Sequence, residues 1–298
     1  MKPWFEQFEE GLVALFETSR SGMHDSMNYT LLAPGKRFRP RLMFDAFCDI
    51  CDARGIETPE VLPGAVFDAA AALECIHNYS LIHDDLPCMD DDSFRRGRLT
   101  SHKVYGEALA LLAGDALLNA AAELLAKRMR AELHSGDLDR MLGFADVQNC
   151  ILEASGAKGM IEGQRLDIDN AGALTLEEVE HVNRLKTGAL IAAAAYSGAR
   201  IAGADSASAE RYRDLGFRIG SMFQITDDIL DVEGDPTLVG KTLAKDEKRS
   251  MATYASLLGV AGAKEKVKAL RDETVRLAEE VGAKRIIGQI DYIVARRK

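Results

Sequence analysis

The sequence predicts an all-α protein, a single large bundle of about ten helices around a central cleft. Apolar residues recur at intervals of three and four in almost every segment, which is the spacing of amphipathic helices. The alternating Val, Ile, Thr and aromatic pattern of half-buried strands is absent. Of the 298 residues 47% are hydrophobic, and no linker or repeat divides them, so we expect one domain over residues 1–298.

The helices can be placed in chain order from this spacing. The predicted ranges are 3–19, 38–54, 60–85, 107–134, 138–155, 175–202, 207–233, 250–259 and 262–296, the last broken near Gly282. The stretches ALALLAGDALLNAAAELLA and TGALIAAAAYSGARIAG are rich in Ala and apolar nearly all round. The helices that contain them are therefore predicted to be central and closely packed.

Local end signals support several of these boundaries. Thr58 followed by Pro59 is typical of an N-cap with proline at the first helical position, and Thr175 with Glu178 forms a capping box. Glycine stands where helices should stop or turn, at Gly106, Gly136 and Gly203. These signals define the predicted positions of the helix ends more closely than periodicity alone does.

Charge and cysteine content narrow the function. The formal net charge is −10, so nucleic acid and anionic membranes should repel the chain. The N-terminus is acidic and no uncharged apolar run reaches 18 residues, so we expect a cytoplasmic protein without a membrane span. Five scattered cysteines fit reduced thiols, and the CxxC of Cys48 and Cys51 is interpreted as core packing rather than a redox site.

A first acidic cluster occupies residues 83–98, HDDLPCMDDDSFRRGR. It contains Asp84, Asp85, Asp90, Asp91 and Asp92 beside Arg95, Arg96 and Arg98 at the end of an apolar helical segment. Such a cluster alone could be a solvated loop neutralised by its own arginines. An EF-hand is a poor alternative, because the segment lacks the glycine and the final glutamate of that loop.

A second cluster, FQITDDILDVE at residues 223–233, changes that interpretation. On a helix, Gln224, Asp227 and Asp231 fall on one face among apolar neighbours. Carboxylates one turn apart on an inner face repel each other unless a cation lies between them. Carboxylates without nearby Cys or His ligands favour Mg²⁺ completed by substrate phosphates.

Basic residues supply the complementary half of a site. Lys36, Arg37, Arg39 and Arg41 precede or begin a predicted helix, and further cations include Lys186, Lys241 and the terminal Arg296, Arg297 and Lys298. On the first aspartate helix, His77, Ser80 and Asp84 share a face. Together the clusters predict two diphosphates in one cleft, one bound through Mg²⁺ and one bound directly by Lys and Arg.

In these motifs the chain resembles the trans-isoprenyl diphosphate synthase family, most closely its bacterial farnesyl diphosphate synthases. The resemblance spans nearly the whole chain, in the family's order and approximate spacing. It rests on GKRFRP, LECIHNYSLIHDDLPCMDDDSFRRGR, GDALL, GQRLD, KTGALI, FQITDDILDVEGD, VGKTL and YIVARRK.

This resemblance implies a homodimeric helical bundle that condenses isopentenyl diphosphate with dimethylallyl and geranyl diphosphate. Asp84 and Asp90, facing Asp227, would bind three Mg²⁺ ions, or Mn²⁺ in their place, with the allylic diphosphate. Asp85, Asp228 and Asp231 would support them. Contacts to the allylic diphosphate are implied for Arg95, Lys186 and Lys241.

The resemblance also implies the site of the second substrate and the reacting centre. Isopentenyl diphosphate would be held by Lys36, Arg39, His77 and Arg96, with Arg297 and Lys298 closing over it. Lys186, Thr187 and Gln224 would act at the catalytic centre, the last two next to the forming carbocation. Released pyrophosphate would take the final proton, so no side chain is assigned as general base.

Product length in the family depends on bulk below the first aspartate motif. Here Tyr79 and Ser80 occupy the fifth and fourth positions before Asp84. Tyr79 with the Pro87–Cys88 insertion resembles farnesyl, fifteen-carbon, synthases, and geranylgeranyl diphosphate synthase is the alternative. Helical geometry supports only Ser80, which lies about 40° from Asp84 around the helix against about 140° for Tyr79.

One departure and three other classes remain. Met251 and Ala255 stand where the family usually has lysine and proline in KxTYP, which puts a basic contact from that loop in doubt.

The ExxH pattern occurs twice, which raises the alternative of a di-iron protein, but that alternative leaves the DDxxD pair unexplained. A terpene cyclase would lack the second DDxxD motif. A catalytically silent subunit would lack a metal aspartate or a diphosphate-binding cation.

Overall fold

Helices dominate the computed structural model, which describes residues 3–17, 21–169, 174–233 and 252–296. In chain order they are α1 (Trp4–Phe16), α2 (Gly22–Leu31), α3 (Phe38–Ala53), α4 (Gly64–Asp84), α5 (Ser101–Tyr105), α6 (Glu107–Ser135), α7 (Leu138–Ser155), α8 (Met160–Asp169), α9 (Leu176–Asn183), α10 (Ala189–Ile201), α11 (Ser206–Glu233), α12 (Tyr254–Glu280) and α13 (Lys284–Val294). A turn of π-helix, Arg184–Gly188, joins α9 to α10. The all-α prediction is confirmed.

The strands described are two short ones in the loop after α4. Strand β1 (Phe94–Arg95) pairs antiparallel with β2 (Arg98–Leu99). The two residues between them, Arg96 and Gly97, have φ of 52° and 74°. Positive φ at both central positions is the type I′ geometry of a tight hairpin. A strand of two residues has no alternation to detect, so the sequence did not predict this hairpin.

The helix start predicted at Thr58 and Pro59 is wrong, because α4 begins at Gly64. Side chains of α1 bind the backbone that precedes it. Trp4 Nε1 donates to the Pro59 carbonyl at 2.9 Å, and the Gln7 amide both donates to the carbonyl of residue 60 and accepts from the N–H of residue 62. These bonds hold residues 59–62 outside the helix.

Other boundaries agree more closely with the predictions. The Thr175–Glu178 capping box is present at the start of α9, and the C-terminal helical region breaks at Gly282, where φ is 75°. Gly106, Gly136 and Gly203 all lie at helix ends with positive φ. Helices α2, α5 and α8 were not predicted, and the predicted helix 175–202 is interrupted by the π-helical turn.

The core is one hydrophobic cluster to which every described α-helix except the short α5 contributes. Its centre contains α4 and α10, whose Ala-rich faces pack against α3, α6, α7 and α11. A side chain at Gly198 of α10 would approach the Met43 carbonyl of α3 to 2.2 Å. Small residues thus allow close helix contact, and this packing fixes α4 opposite α11.

Helix α6 has an unusual distribution of apolar residues. Of the described helices, it alone is long and apolar enough to cross a membrane, by length and composition only. Its small side chains, such as Ala110 and Ala113, are buried against the bundle, while Leu111 and Leu112 are exposed. The outer face of α6 is therefore an apolar surface that the described chain leaves uncovered.

Candidate active site

Two adjoining cavities lie between α3, α4 and α11. The first, about 600 Å³, is lined by residues 34–39, Arg95, Arg96 and Arg296, and we name it the basic lobe. The second, about 690 Å³, extends past Asp84 toward α6 and α8, and we name it the deep lobe. Both lobes are lined by Arg39, His77, Leu81, Phe223 and Asp227. The two lobes therefore form one cleft.

The first aspartate motif folds back on the end of α4. The Asp90 N–H donates to the Asp84 carbonyl at 2.8 Å, and the Asp91 N–H donates to the Leu86 carbonyl at 3.1 Å. This turn absorbs the two-residue insertion and returns Asp90 to the neighbourhood of Asp84. Burial, with a contribution from the negative charge of Asp90, raises the pKa of Asp84 to about 6, although Lys186 opposes the shift.

Asp85, the next residue, points to a different partner. It is buried, and Arg95 in β1 binds it through Nε at 2.9 Å to both carboxylate oxygens and through Nη2 at 2.7 Å. Burial raises the pKa of this carboxyl, and the guanidinium opposes that shift. The pair joins the hairpin to the end of α4, so Asp85 orients Arg95 at the wall of the basic lobe.

The second aspartate motif lies on α11 with the expected facing. Gln224 and Asp227 line the deep lobe, and Asp227 and Asp231 line the basic lobe. Asp228 is buried on the other side, where it accepts hydrogen bonds from Gln224 Nε2 at 2.9 Å and from the Tyr254 N–H at 2.8 Å. Gln224, Asp227 and Asp231 thus all line the cleft.

The π-helical turn presents Lys186 and Thr187 to the deep lobe. Lys186 Nζ lies 2.5 Å from an oxygen of Asp167 in α8, and Thr187 Oγ1 donates to Gln224 Oε1 at 3.1 Å. Burial lowers the pKa of Lys186, but Asp167 and Asp84 raise it above its ordinary value. Lys186 is therefore a charged ammonium between α8 and the first aspartate motif.

The close contacts around this turn require glycine. A Cβ added at Gly163 of α8 would lie 2.2 Å from the backbone nitrogen of Lys186. On the opposite side, a side chain at Gly220 of α11 would lie 2.7 Å from the Cα of Gly188. Both helices approach the backbone of the turn directly, which explains how it is held in position.

Guanidinium groups crowd the basic lobe. Burial lowers the pKa of Arg39 to about 10, and the Nε of this residue is buried without a hydrogen-bond partner in the described chain. Burial also lowers the pKa of Arg96, which Glu74 partly offsets. Burial and the surrounding arginines hold the pKa of His77 well below its usual range, so its imidazole is neutral at pH 7.

Helix α13 brings one further cation to the cleft. The N-terminus of this helix is tied to α3, because the buried Asp49 carboxylate accepts the N–H groups of Arg285 at 3.0 Å and Ile286 at 3.3 Å. Beyond the C-terminal end of α13, Arg296 Nη2 lies 2.8 Å from an oxygen of Asp227, and the Arg296 guanidinium lies 4.4 Å from the centre of the Phe223 ring.

The donor set suits a hard divalent cation completed by a ligand. In the described ranges, no three His, Cys, Asp or Glu side chains lie close enough to hold a metal ion by themselves. Carboxylates nevertheless enter the cleft from α4 and α11, and burial disfavours the charge of Asp84 unless a cation compensates it. Mg²⁺ commonly combines a few carboxylates with phosphate oxygens and water.

Some predicted site residues lie outside the described ranges. These are Lys241, Arg297 and Lys298, together with Met251 of the departing loop. Ala255, the other departure, is buried near the start of α12. The structure does not support a redox role for Cys48 and Cys51. Burial raises the pKa of the Cys48 thiol to about 11 and also raises the pKa of the Cys51 thiol, and a reactive cysteine needs a lowered pKa.

Both residues named for chain length line the deep lobe with Asp84. Tyr79 is 5% exposed and its ring makes an edge contact with His83, with centroids 5.6 Å apart. Helical geometry, which puts Tyr79 about 140° around the helix from Asp84, did not predict that Tyr79 lines the deep lobe. The side chain is large enough to reach the lobe, whereas the angle describes only the direction of the Cα–Cβ bond.

Sequence reasoning missed several residues of the cleft. Arg296 was noted only as one of several terminal cations and Glu74 only as part of an ExxH pattern, and Asp167 and Phe223 were not singled out. Asp167 could have been found, because it ends GQRLD, one of the family motifs. Glu74 shares a helix face with His77 at i and i+3, which is a weaker signal.

The polyprenyl synthetase family model matches residues 20–289 of the chain. The chain belongs to the polyprenyl synthetase family. Among curated relatives, farnesyl diphosphate synthase of Micrococcus luteus is 42% identical over 258 residues, which are 86% of this chain and 82% of that protein. Chloroplastic geranylgeranyl pyrophosphate synthase of Catharanthus roseus is 39% identical over 260 residues, 86% of this chain and 68% of that protein.

Solved structures of the polyprenyl synthetase family agree with this fold. The geranyltransferase of Helicobacter pylori, crystallised in complex with magnesium and isoprenyl diphosphate, matches with a TM-score of 0.80 and 30% identity. The match covers 97% of this chain and 93% of that one. The overall fold is therefore shared with that geranyltransferase.

Proposed function

We propose that this protein condenses isopentenyl diphosphate with dimethylallyl and then geranyl diphosphate to give (2E,6E)-farnesyl diphosphate and pyrophosphate. Its class, trans-prenyltransferase, follows from the family and from the names of its relatives. The observation that carries the proposal is the composition of one cleft, where aspartates from α4 and α11 meet a separate cluster of arginines. The aspartates would bind one diphosphate through Mg²⁺, and the arginines would bind the other directly.

The allylic diphosphate is assigned to the aspartate side. Asp84, Asp90 and Asp227 would hold three Mg²⁺ ions, or Mn²⁺, with Asp85, Asp228 and Asp231 in support. The ions, when bound, neutralise charge that develops on the departing pyrophosphate. The contacts of Asp85 with Arg95, and of Asp228 with Gln224 and the Tyr254 N–H, support orienting roles for these two carboxylates.

Protein cations assist the same departure. Lys186 and Arg95 would contact the allylic diphosphate, as would Lys241, which lies outside the described residues. Lys186 is fixed by Asp167, so its ammonium needs little reorganisation when the bond between carbon and oxygen ionises. Thr187 and Gln224 would then face the allylic cation, and their mutual hydrogen bond supports a fixed orientation of the amide oxygen.

Isopentenyl diphosphate is assigned to the basic lobe. Lys36, Arg39, His77 and Arg96 would bind its diphosphate, with Arg297 and Lys298, outside the described residues, closing over it. The unpartnered buried Nε of Arg39 supports this, since a buried donor is stabilised by an anionic acceptor. The alkene then attacks the allylic cation, and the released pyrophosphate accepts the proton.

The deep lobe is assigned to the growing chain. Its apolar lining includes Leu118, Met160 and Ile161, and Tyr79 with Ser80 contributes next to Asp84. We propose that Tyr79 limits the product to fifteen carbons. The alternative is geranylgeranyl diphosphate, and a relative of that name supports keeping it.

We propose that the enzyme is one domain, works in the cytoplasm and forms a homodimer through α6 and α7. Both helices present exposed leucines, Leu111, Leu112, Leu138 and Leu142. Large apolar side chains left exposed along neighbouring helices are typical of a subunit interface. By light scattering, we expect a dimer that Leu112→Glu converts to monomer, whereas Val61→Glu, at an exposed loop position, leaves it dimeric. A monomeric wild type would refute the assignment.

The activity is tested directly with substrates of increasing length. The protein is incubated with Mg²⁺, labelled isopentenyl diphosphate and either dimethylallyl, geranyl or farnesyl diphosphate, and products are resolved by chain length. We expect a fifteen-carbon product and no use of farnesyl diphosphate as a primer. A twenty-carbon product would favour the alternative, and absence of condensation would favour a catalytically silent subunit. Asp84→Asn is the control for dependence on the aspartate side.

A further inference from the structure

A buried carboxylate lies in the basic lobe, where an incoming diphosphate would be repelled by it. Glu74 of α4 is 2% exposed and lines the cavity. The cations that line the same cavity are Lys36, Arg37, Arg39, Arg95, Arg96 and Arg296. A negative charge in an anion site lowers its attraction for the ligand, so Glu74 needs a role other than binding.

The contacts of Glu74 indicate that role. Its Oε2 lies 2.9 Å from Arg37 Nη1, and Arg37 Nε lies 2.8 Å from Glu9 Oε1 of α1. Arg37 Nη2 donates to the Ala33 carbonyl at 3.3 Å. All three nitrogens of this guanidinium thus have protein partners. Arg37 is consequently a structural cation.

The backbone at Arg37 is strained. Its φ and ψ are 45° and 46°, the left-handed region, at the residue immediately before α3. For a residue with a side chain this conformation is unfavourable and persists only where surrounding contacts impose it. The buried ion pair with Glu74 and the half-buried one with Glu9 are those contacts. They fix the direction in which the chain enters α3, and thereby the positions of Lys36 and Arg39.

We propose that Glu74 is a positioning residue for isopentenyl diphosphate, which through Arg37 holds the 34–39 loop in the geometry that presents Lys36 and Arg39 to the diphosphate. This inference rests on the proposed function for the choice of ligand. The loop is also packed closely at Gly35, where a side chain would lie 3.1 Å from Arg96 Nη1. A loop shift would therefore disturb Arg96 as well.

The allylic site serves as an internal reference. Glu74 and Asp84 are ten residues apart on α4, which corresponds to about 15 Å along the helix. A defect confined to the loop should therefore affect one substrate and leave the other unchanged. A general loss of folding would affect both.

The test compares Glu74→Gln, which removes the charge, with Glu74→Asp, which keeps it and shortens the side chain. The control is Asp68→Asn, because Asp68 on the same helix forms a comparable 2.6 Å ion pair with Arg128 away from the cleft. The binding of isopentenyl diphosphate alone is measured by calorimetry. Steady-state kcat, KM for each substrate and thermal unfolding complete the set.

Both Glu74 variants are expected to weaken isopentenyl diphosphate binding about tenfold and raise its KM similarly. The KM for geranyl diphosphate and kcat should change less than about twofold. Asp68→Asn should lower thermal stability without changing the binding constant. Glu9→Gln, which removes the more exposed arm of the network, is expected to give a smaller defect, about threefold.

The sign of the Glu74→Gln effect separates positioning from simple charge balance. Tighter binding in Glu74→Gln with wild-type binding in Glu74→Asp would overturn the proposal, since the carboxylate would then only weaken anion attraction. Equal losses for both substrates would also overturn it. A wild type that binds isopentenyl diphosphate but does not turn over refutes the proposed function alone, whereas one that does not bind it refutes both.

Discussion

Replacement of Gly163 by alanine should displace the turn that carries Lys186. The added Cβ would lie 2.2 Å from the Lys186 nitrogen, 2.6 Å from its Cα and 2.8 Å from the carbonyl carbon of Leu185. All three are backbone atoms and cannot rotate away. Ordinary contact begins near 3.4 Å, so α8 and the turn must separate by about 1.2 Å, the difference between 3.4 and 2.2 Å.

The energetic consequence follows from two opposing effects. Overpacking of this kind costs about 1–3 kcal/mol, and alanine regains about 1 kcal/mol over glycine in a helix. We expect a net loss of about 0–2 kcal/mol in the free energy of unfolding. A catalytic group displaced by about 1 Å can lose about 100-fold in rate, so kcat should fall much more than stability.

Urea unfolding and steady-state kinetics measure the two effects. Gly288→Ala is the matched control, because this glycine of α13 has nothing within 4 Å of an added Cβ. It should gain about 0.5–1 kcal/mol and retain wild-type kcat. A Gly163→Ala protein with wild-type stability and kcat would refute the close contact between α8 and the turn.

Three further perturbations test other parts of the cleft and its support. Tyr79→Ala should shift the product from fifteen to twenty carbons, as measured by chain-length analysis, and an unchanged product refutes its role as a floor. Burial raises the pKa of Asp45 to about 6, so the folded state binds this proton more tightly than the unfolded state and loses stability as pH rises from about 4 through 6. Asp45→Asn can still accept from Gln289, and should increase the unfolding free energy by on the order of 2 kcal/mol at pH 7 but much less at pH 4; equal gains at both would contradict this. Arg296→Gln removes the counter-charge of Asp227 and should strengthen Mn²⁺ binding, measured by paramagnetic resonance without substrate, about fivefold; weaker binding would show that Arg296 does not compete with the ion.

The sequence was sufficient for the helical architecture because its signals are local and strong. The Ala-rich stretch of α10 is apolar all round, and only a central position buries every face. Asp227 and Asp231 could be placed on one face because helical spacing alone decides it. The resemblance then supplied the partners of these aspartates, which spacing could not.

Features that depend on contacts between distant segments were not predictable in this way. The residues before α4 stay outside the helix because Trp4 and Gln7 bind their backbone, although Thr58 and Pro59 are a favourable helix start. The π-helical turn depends on contacts with α8 and α11, and its own residues read as ordinary helix. Arg296 reaches Asp227 only because α13 is folded back over the bundle, a long-range arrangement without a local signature.

The tethering of α13 has a practical consequence for handling the protein. Asp49 fixes the start of this helix, so its far end has little freedom to move away from the cleft. Arg296, just beyond this helix, lies against Asp227 and Phe223 at the wall of the cleft. An affinity tag attached close after Arg296 would therefore crowd the entrance for substrates and distort kinetic constants. Purification handles are better placed before α1.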